Sequence, residues 1–483
     1  MLSPYFGTSH FVWTAQIAIT LLSLAVGYWF GGCLADRSPG LGRMYACILV
    51  SAFCLCLTVF LCPWVADRCL DLKLALGSLL ASLFLFFVPL ALLATVGPFI
   101  IRALTASVTA VGGQVGQISA LSTAGSVLGT VLVSYVLIPL LPNSTTMYLT
   151  GMGLMALATV YFFVWGKRWW SNMAVIVALY LAWAAGLPFI GSHSAVRVGG
   201  TEELERCNSN FGLMQVLQAP NGLWRFCLND YLVVNGYDVV RKQSIFAYTC
   251  MLHGLAHAYT TNLDSALCIG LGVGILPMQL ANEGVKVDVV EINPAVVPLA
   301  QKYFDLQPER LHIVIDDGRH FLNGCQPRYD AILLDAFLGD SMPSHLMTRE
   351  AFAAMRQVLH PGGTLVINSA GSLVPGRDFL TASVEKTLRA VFQGVRVHAS
   401  QLPFDNIYFV ASDRPELAFI RPPDVSGVHP MLRQTVEEIY ATRVATDSHH
   451  GRVLTDDFNP VEFYDAANRE RWRRSLAIKM RPE

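Results

Sequence analysis

The chain has 483 residues, 53% of them hydrophobic and 14% charged, with a formal net charge of −1. So apolar a composition excludes a disordered chain, and so even a charge balance excludes a nucleic-acid binder that relies on a basic surface. The charge is also unevenly placed: residues 1–191 contain no Glu, and their only charged residues are Asp36, Arg37, Arg43, Asp67, Arg68, Asp71, Lys73, Arg102, Lys167 and Arg168. Two solvents are implied, lipid for the first part and water for the second.

In residues 1–191, six apolar stretches are long enough to cross a bilayer as helices, roughly 11–35, 44–66, 74–101, 115–141, 147–166 and 173–190. The charges fall almost entirely in the gaps, and Trp169 and Trp170 stand at one boundary, as interfacial aromatics do. A multi-pass helical membrane domain embedded in a lipid bilayer is the expectation. The first stretch is too long, and lacks the basic start, for a cleaved signal peptide. Loops one, three and five carry Arg37, Arg43, Arg102, Lys167 and Arg168, against Arg68 and Lys73 in loops two and four. The positive-inside rule puts the odd loops in the cytoplasm, and six spans would then leave the C-terminal part outside. Small residues crowd the fourth stretch (Gly112, Gly113, Gly116, Ser119, Ser122, Gly125, Ser126 and Gly129), which predicts close helix packing. Ionisable groups are nearly absent within the stretches, which argues against ion or proton transport.

Residues 192–262 read as a small β-hairpin extension and a helix. Short alternating stretches between Ser209 and Val240 are punctuated by Asn-Gly at 221–222 and 235–236, a hairpin signal, and a helical pattern follows over 244–259. Residues 263–483 alternate apolar strands (266–272, 285–292, 311–317, 329–337, 364–371) with helical stretches such as 348–360. That alternation predicts an α/β, doubly wound, Rossmann-like sheet whose ligand sits at the strand C-termini.

The residues at those termini carry the chemistry. Gly270, Gly272 and Gly274 follow the first strand, where glycines permit a tight turn and a close ligand. Glu291 ends the second strand, about 20 residues on, where a carboxylate accepts both ribose hydroxyls of a nucleoside. Asp316 and Asp317 end the third strand, within reach of an adenine amino group, and Asp335 ends the fourth. Acids ending three successive strands after a glycine turn point to a small-molecule nucleoside ligand. No Cys-x-x-Cys pair occurs, so a thiolate zinc site has no support. His253 and His257 lie one helical turn apart, but no third ligand is evident in the sequence, so a polar helix face and no metal are expected. Asp456 and Asp457 read as a cap or turn.

The segment 266–369 resembles the catalytic core of spermidine synthases, a branch of the S-adenosylmethionine-dependent methyltransferase fold. The strand-two acid, Asp317-Gly318 with Phe321 after it, and Asp335 opening a loop occur in order. The stretches PYFGTSHFVW, GYWFGGCLADR, PFIIRAL, STAGSVLGT and LTDDFNPVE resemble the fused transmembrane spermidine-synthase-like proteins of bacteria. The resemblance implies a bacterial inner (plasma) membrane location and S-adenosylmethionine or its decarboxylated form as substrate. It further implies an amine acceptor, no nucleic acid and a homodimer like the soluble relatives. It assigns the nucleoside loop to Gly270, Gly272 and Gly274, the ribose to Glu291, adenine to Asp317, and catalysis to Asp335 and Tyr248, with 335–344 as a gate.

The departures from the family pattern are informative. The family's loop Asp is Val273 here, its Tyr-His-Glu becomes Tyr248, Thr249 and Cys250, and its Tyr-Gln becomes Phe211 and Gly212. Removing a carboxylate from an ammonium pocket costs several kcal/mol, on the order of a broken buried pair. These losses favour a single-substrate reaction, in which the carboxylate of S-adenosylmethionine attacks its own γ-carbon to give homoserine lactone and methylthioadenosine. Methyl transfer, and a transporter or sensor that merely binds a nucleoside, are the alternatives.

Overall fold

The computed structural model falls into two compact units, Met1–Val196 and Arg197–Glu483. It describes residues 2–6, 10–37, 40–104, 111–165, 200–230, 232–326, 328–337, 342–400, 404–442 and 449–461, with a few isolated positions elsewhere.

The first unit is helical: α1 (His10–Arg37), α2 (Leu41–Cys69), α3 (Leu74–Ala94), α4 (Val96–Leu104), α5 (Val111–Leu132) and α6 (Asn143–Trp165). Five helical segments among the described residues are long and apolar enough to cross a membrane, α3 and α4 counting together. The sixth expected stretch, 173–190, lies almost entirely outside the described residues. Helix contact here depends on small residues, but not the expected ones. A Cβ on Gly112, Gly113, Gly116, Gly125 or Gly129 would meet nothing within 4 Å, so the glycines of α5 are not buried in packing. The close approach is instead at Gly27 and Gly31 of α1. There an added Cβ would fall 2.3 Å from the Ala91 carbonyl oxygen and 2.7 Å from the Thr95 Cα.

Proline shapes α3. Pro89 has no N–H, so the Leu85 carbonyl four residues earlier loses its helical donor. The Thr58 hydroxyl of α2 lies 2.9 Å from that carbonyl and 2.9 Å from the Cys54 carbonyl of its own helix, so its one proton is shared between the two, while Ser51 donates to the Pro89 carbonyl at 2.8 Å.

The second unit begins with an antiparallel sheet of five strands in sequence order: β1 (Glu202–Ser209), β2 (Gly212–Gln218), β3 (Trp224–Asn229), β4 (Leu232–Asp238) and β5 (Gln243–Ser244). It is larger than the hairpin expected. Asn221-Gly222 lies in the β2–β3 turn, but Asn235-Gly236 lies inside β4. Gly236 is small for packing: a Cβ there would fall 2.7 Å from the Ile245 side chain.

After α7 (Ala247–Tyr259) comes a seven-stranded sheet of β6 (Ser265–Ile269), β7 (Lys286–Glu291), β8 (His312–Ile315), β9 (Tyr329–Leu334), β10 (Leu359–Gly371), β11 (Gly394–Ala399) and β12 (Asp405–Ser412). The spatial order is β11-β12-β10-β9-β6-β7-β8; β8 through β10 run parallel, and β12 is antiparallel to both its neighbours. Its helices are α8 (Ile275–Asn282), α9 (Val296–Tyr303), α10 (Gly318–Gly324), α11 (Arg349–Gln357), α12 (Phe379–Arg389) and α13 (Arg433–Ala441).

Alternation along the central strands divides the core into two layers. Ala266, Cys268, Ala331, Leu333 and Val366 face a layer with Leu252 and Leu255 of α7, Leu280 of α8 and Ile439 of α13. Leu267, Ile269, Ile332, Leu334 and Ile367 face the other, with Phe352 of α11 and Leu388 of α12. The chain leaves β6 toward β7 and β8, then returns across to β9, which opens a crevice at the C-terminal ends of β6 and β9.

Substituting Thr58→Val should remove the hydroxyl that α2 offers the Leu85 carbonyl while keeping the side-chain shape. Stability of the full chain in detergent should fall by about 1–2 kcal/mol, and Thr58→Ser should restore it. Indistinguishable unfolding curves for Thr58→Val and wild type would refute the pairing.

Candidate active site

A cavity of about 440 Å³ opens in that crevice. The parallel sheet supplies one wall with Gly270 and Gly272 after β6, Glu291 at the end of β7, Asp316 and Asp317 after β8, and Asp335 after β9. Asn368 of β10 and Asp405 and Asn406 of β12 extend it, and the antiparallel sheet and the start of α7 close it through Asn229, Asn235 and Tyr248.

The glycine turn is held by sterics. Gly270 has φ +101, and a Cβ there would fall 2.3 Å from the Asp335 carbonyl oxygen. Gly272 has φ +56, and its Cβ would fall 3.1 Å from Asn235 Oδ1. Gly274, also expected in the nucleoside loop, does not line the cavity; it precedes α8 at φ +85, packed on Leu306. Its glycine is needed for the left-handed turn.

Glu291 is only 8% exposed, and burial raises its pKa against the opposing effect of backbone hydrogen bonds. Its two oxygens accept the Leu271 amide at 2.9 Å and the Asn293 amide at 2.8 Å, which hold the carboxylate at the cavity wall beside the glycine turn. Asp317 caps α10, accepting the Arg319 and His320 amides at 2.8 and 3.1 Å, and its second oxygen is 3.0 Å from His345 Nε2. Burial opposes its ionisation, but the His320 amide and His345 outweigh burial and hold it below the usual carboxylate range. Asp316 accepts the Asp317 amide and lies 2.7 Å from His320 Nδ1.

Asp335 differs from these acids. Burial raises its pKa from 3.8 to about 6, opposed only by the amide of Asn368, whose Nδ2 donates to Oδ1 at 2.8 Å. The Asn368 side-chain carbonyl oxygen is buried without a hydrogen-bond partner among the described residues, as is that of Asn229. Two orphaned acceptors on the walls of a cavity fit a ligand that brings N–H donors. Tyr248 lines the cavity, but its hydroxyl is engaged within the protein. It donates to the Val234 carbonyl and accepts from Asn235 Nδ2, each at 2.6 Å. Burial and then the Asp335 charge push its pKa well up.

The positions that depart from the family pattern mostly lie away from the cavity. Val273 is buried in the core, and Thr249 is buried with its hydroxyl 3.2 Å from Ser244 Oγ. Neither these nor Cys250 lines the cavity, whereas Phe211 does. Asp405, Asn368 and Asn235 were not anticipated. Asn368 was legible as the one amide within an apolar strand, Asn235 was read as a turn, and Asp405 had no signal. Asp456 accepts from Thr348, the cap of α11, and from Arg319, so it ties helix starts together. Positions 338–341 of the expected gate, including Asp340, lie outside the described residues.

A doubly wound sheet of this order, with carboxylates at the ends of its parallel strands, is a Rossmann-like fold of the methyltransferase type. Residues 245–410 match the spermine/spermidine synthase domain, so the C-terminal part carries such a domain. Among curated proteins, the chain is 39% identical over 141 residues to a polyamine aminopropyltransferase of Vibrio vulnificus, covering 27% of this chain and 46% of that protein. It is 31% identical over 215 residues to an N-terminal histidine N-methyltransferase of Emericella nidulans, covering 40% of this chain and 38% of that protein. The matches thus span less than half the length of either relative. The solved structure of a probable spermidine synthase from Corynebacterium glutamicum is similar with a TM-score of 0.39 and 21% identity, covering 44% of this chain and 80% of that one.

The raised pKa of Asp335 makes stability depend on pH. Because the folded state holds this proton more tightly than the unfolded state does, stability should decline as pH rises from about 4 through about 6. Asp335→Asn should therefore unfold later than wild type at pH 7.5, by on the order of 2–3 kcal/mol, with the gap shrinking toward pH 4.5. A gap independent of pH in equilibrium unfolding of the full chain would refute the assignment.

Proposed function

We propose that the C-terminal unit takes decarboxylated S-adenosylmethionine and transfers its aminopropyl group to an amine, releasing methylthioadenosine. The observation that carries this reading is Asp335: a buried carboxyl with a pKa of about 6, beside an orphaned acceptor, in an acid-lined cavity. Near neutral pH its carboxylate can accept a proton from the substrate ammonium. The freed amine nitrogen then attacks the carbon next to sulfur, the carbon–sulfur electrons pass to the sulfonium, and a neutral thioether leaves. Gly270 and Gly272 allow the nucleoside to approach the backbone, and Glu291 is placed to accept from its ribose.

Charge favours this reading over lactone formation. Glu291, Asp316, Asp317, Asp335 and Asp405 line the cavity, and among the described residues no Lys or Arg does. A cationic sulfonium and ammonium suit such a cavity, whereas the free carboxylate of intact S-adenosylmethionine would face like charges. Methyl transfer is the second reading, favoured by the similarity to the histidine N-methyltransferase.

The N-terminal helices serve, in this proposal, as anchors in a bacterial plasma membrane. Five crossings with the odd loops inside would put the catalytic unit in the cytoplasm, on the side of its nucleoside substrate. A sixth crossing through 173–190 would reverse this, and protease access in oriented vesicles distinguishes the two.

The full chain should release methylthioadenosine from decarboxylated S-adenosylmethionine only when an amine such as putrescine is present, as read by mass spectrometry. Asp335→Asn should lower kcat by about 10²–10⁴-fold with little change in nucleoside affinity, and wild-type kcat should rise with pH through about 6. Methylthioadenosine from S-adenosylmethionine alone would establish the lactone reaction instead, and S-adenosylhomocysteine with a methylated product would establish methyl transfer.

A further inference from the structure

A second cluster lies outside the cavity. His253 and His257, one turn apart on α7, both turn their Nε2 atoms toward Glu283, the C-cap that follows α8. His253 Nε2 is 2.8 Å from one carboxylate oxygen and His257 Nε2 is 2.7 Å from the other. One ligand atom from each residue lies within 4.8 Å of the other two, and the ring centroids are 4.7 Å apart. The side chains are 26%, 31% and 41% exposed, so solvent ions can reach them.

Sequence spacing supplies only the two imidazoles; the third donor arrives from a different helix. Gly284, at φ +90, turns the chain immediately after Glu283 and fixes where that carboxylate projects. An acid at a helix C-terminus opposes the helix dipole, so its placement there calls for a cationic partner. Two imidazole nitrogens and a carboxylate are a donor set that Zn²⁺ accepts at about 2.0–2.2 Å, with water in the fourth position.

We propose that His253, His257 and Glu283 form a binding site for a divalent transition-metal ion of the Zn²⁺ class, which clamps α7 to α8. None of the three lines the cavity, so the ion acts on position and not on the reacting atoms. Its leverage comes from the fold: the first turn of α7 carries Ala247 and Tyr248 on the cavity wall, and α8 begins where the glycine turn ends. The ion would join the middle and C-terminal part of α7 to the C-terminal end of α8, two helices whose N-termini lie at the cavity. This inference is independent of the reaction catalysed.

The test uses the full chain without a histidine tag, reduced and stripped with chelator, then titrated with Zn²⁺ and with Co²⁺ as an optical probe. Wild type should bind one equivalent at micromolar concentration or tighter, with Co²⁺ giving the visible absorption of a four-coordinate nitrogen/oxygen site. At a hundred times Kd the ion should raise Tm by roughly 5–10 °C. Glu283→Gln and His257→Ala should each lose that equivalent, the Tm rise and the Co²⁺ band. Comparison with these variants discounts ions held by the cysteines, and Glu283→Gln keeps the shape of the cluster should His257→Ala fold poorly. No uptake by wild type, or equal uptake and an unchanged Co²⁺ band in Glu283→Gln, would overturn the site and leave a hydrogen-bonded His–Glu–His contact.

Discussion

The candidate site depends on one close approach, that of the Gly270 backbone to the Asp335 carbonyl. The two residues follow adjacent parallel strands at the point where the chain reverses its direction across the sheet. Any side chain at 270 would collide with main chain, which cannot rotate away. That contact brings the glycine turn beside the buried Asp335 and ties two sequence-distant parts of the cavity wall to one spacing. The Asp335 amide strengthens the junction by donating to the Ile269 carbonyl at 3.0 Å.

Electrostatics then separates the acids from one another. Asp317 has its charge held by amide and imidazole donors, and so stays ionised. Glu291 and Asp335 are buried, and both are pushed upward, but Glu291 spends its oxygens on backbone amides while Asp335 has a single side-chain donor. A carboxyl so poorly solvated gains most from an arriving cation. The same reasoning explains the orphaned carbonyls of Asn229 and Asn368, which are costly in an empty cavity and useful in a filled one.

The helical unit solves a different problem with the same accounting of hydrogen bonds. Where Pro89 removes a donor from α3, the Thr58 hydroxyl of α2 faces the carbonyl left over, and where α1 meets α3 it is glycine that admits the neighbouring backbone. These devices matter most where water is scarce, since a lost partner cannot then be replaced by solvent.

Much of this was legible in the sequence because it depends on local pattern. Apolar alternation placed the parallel strands, the charge desert marked the helical unit, and acids at strand ends marked Glu291, Asp316, Asp317 and Asp335. These features are carried by neighbours in the chain, and periodicity reports them directly. The packing role of Gly274, the commitment of the Tyr248 hydroxyl, the use of Asn235 inside a strand and the inclusion of Asp405 in the cavity were not legible. Each depends on a contact between segments tens of residues apart. The absence of the family's acids at Val273 and Cys250 suggested a site stripped of charge, yet those positions are buried in protein and a different strand supplies another carboxylate. By itself, the sequence determined which residues could do chemistry; tertiary structure decided which of them share a cavity, because only folding sets distance, burial and the partners that tune a proton.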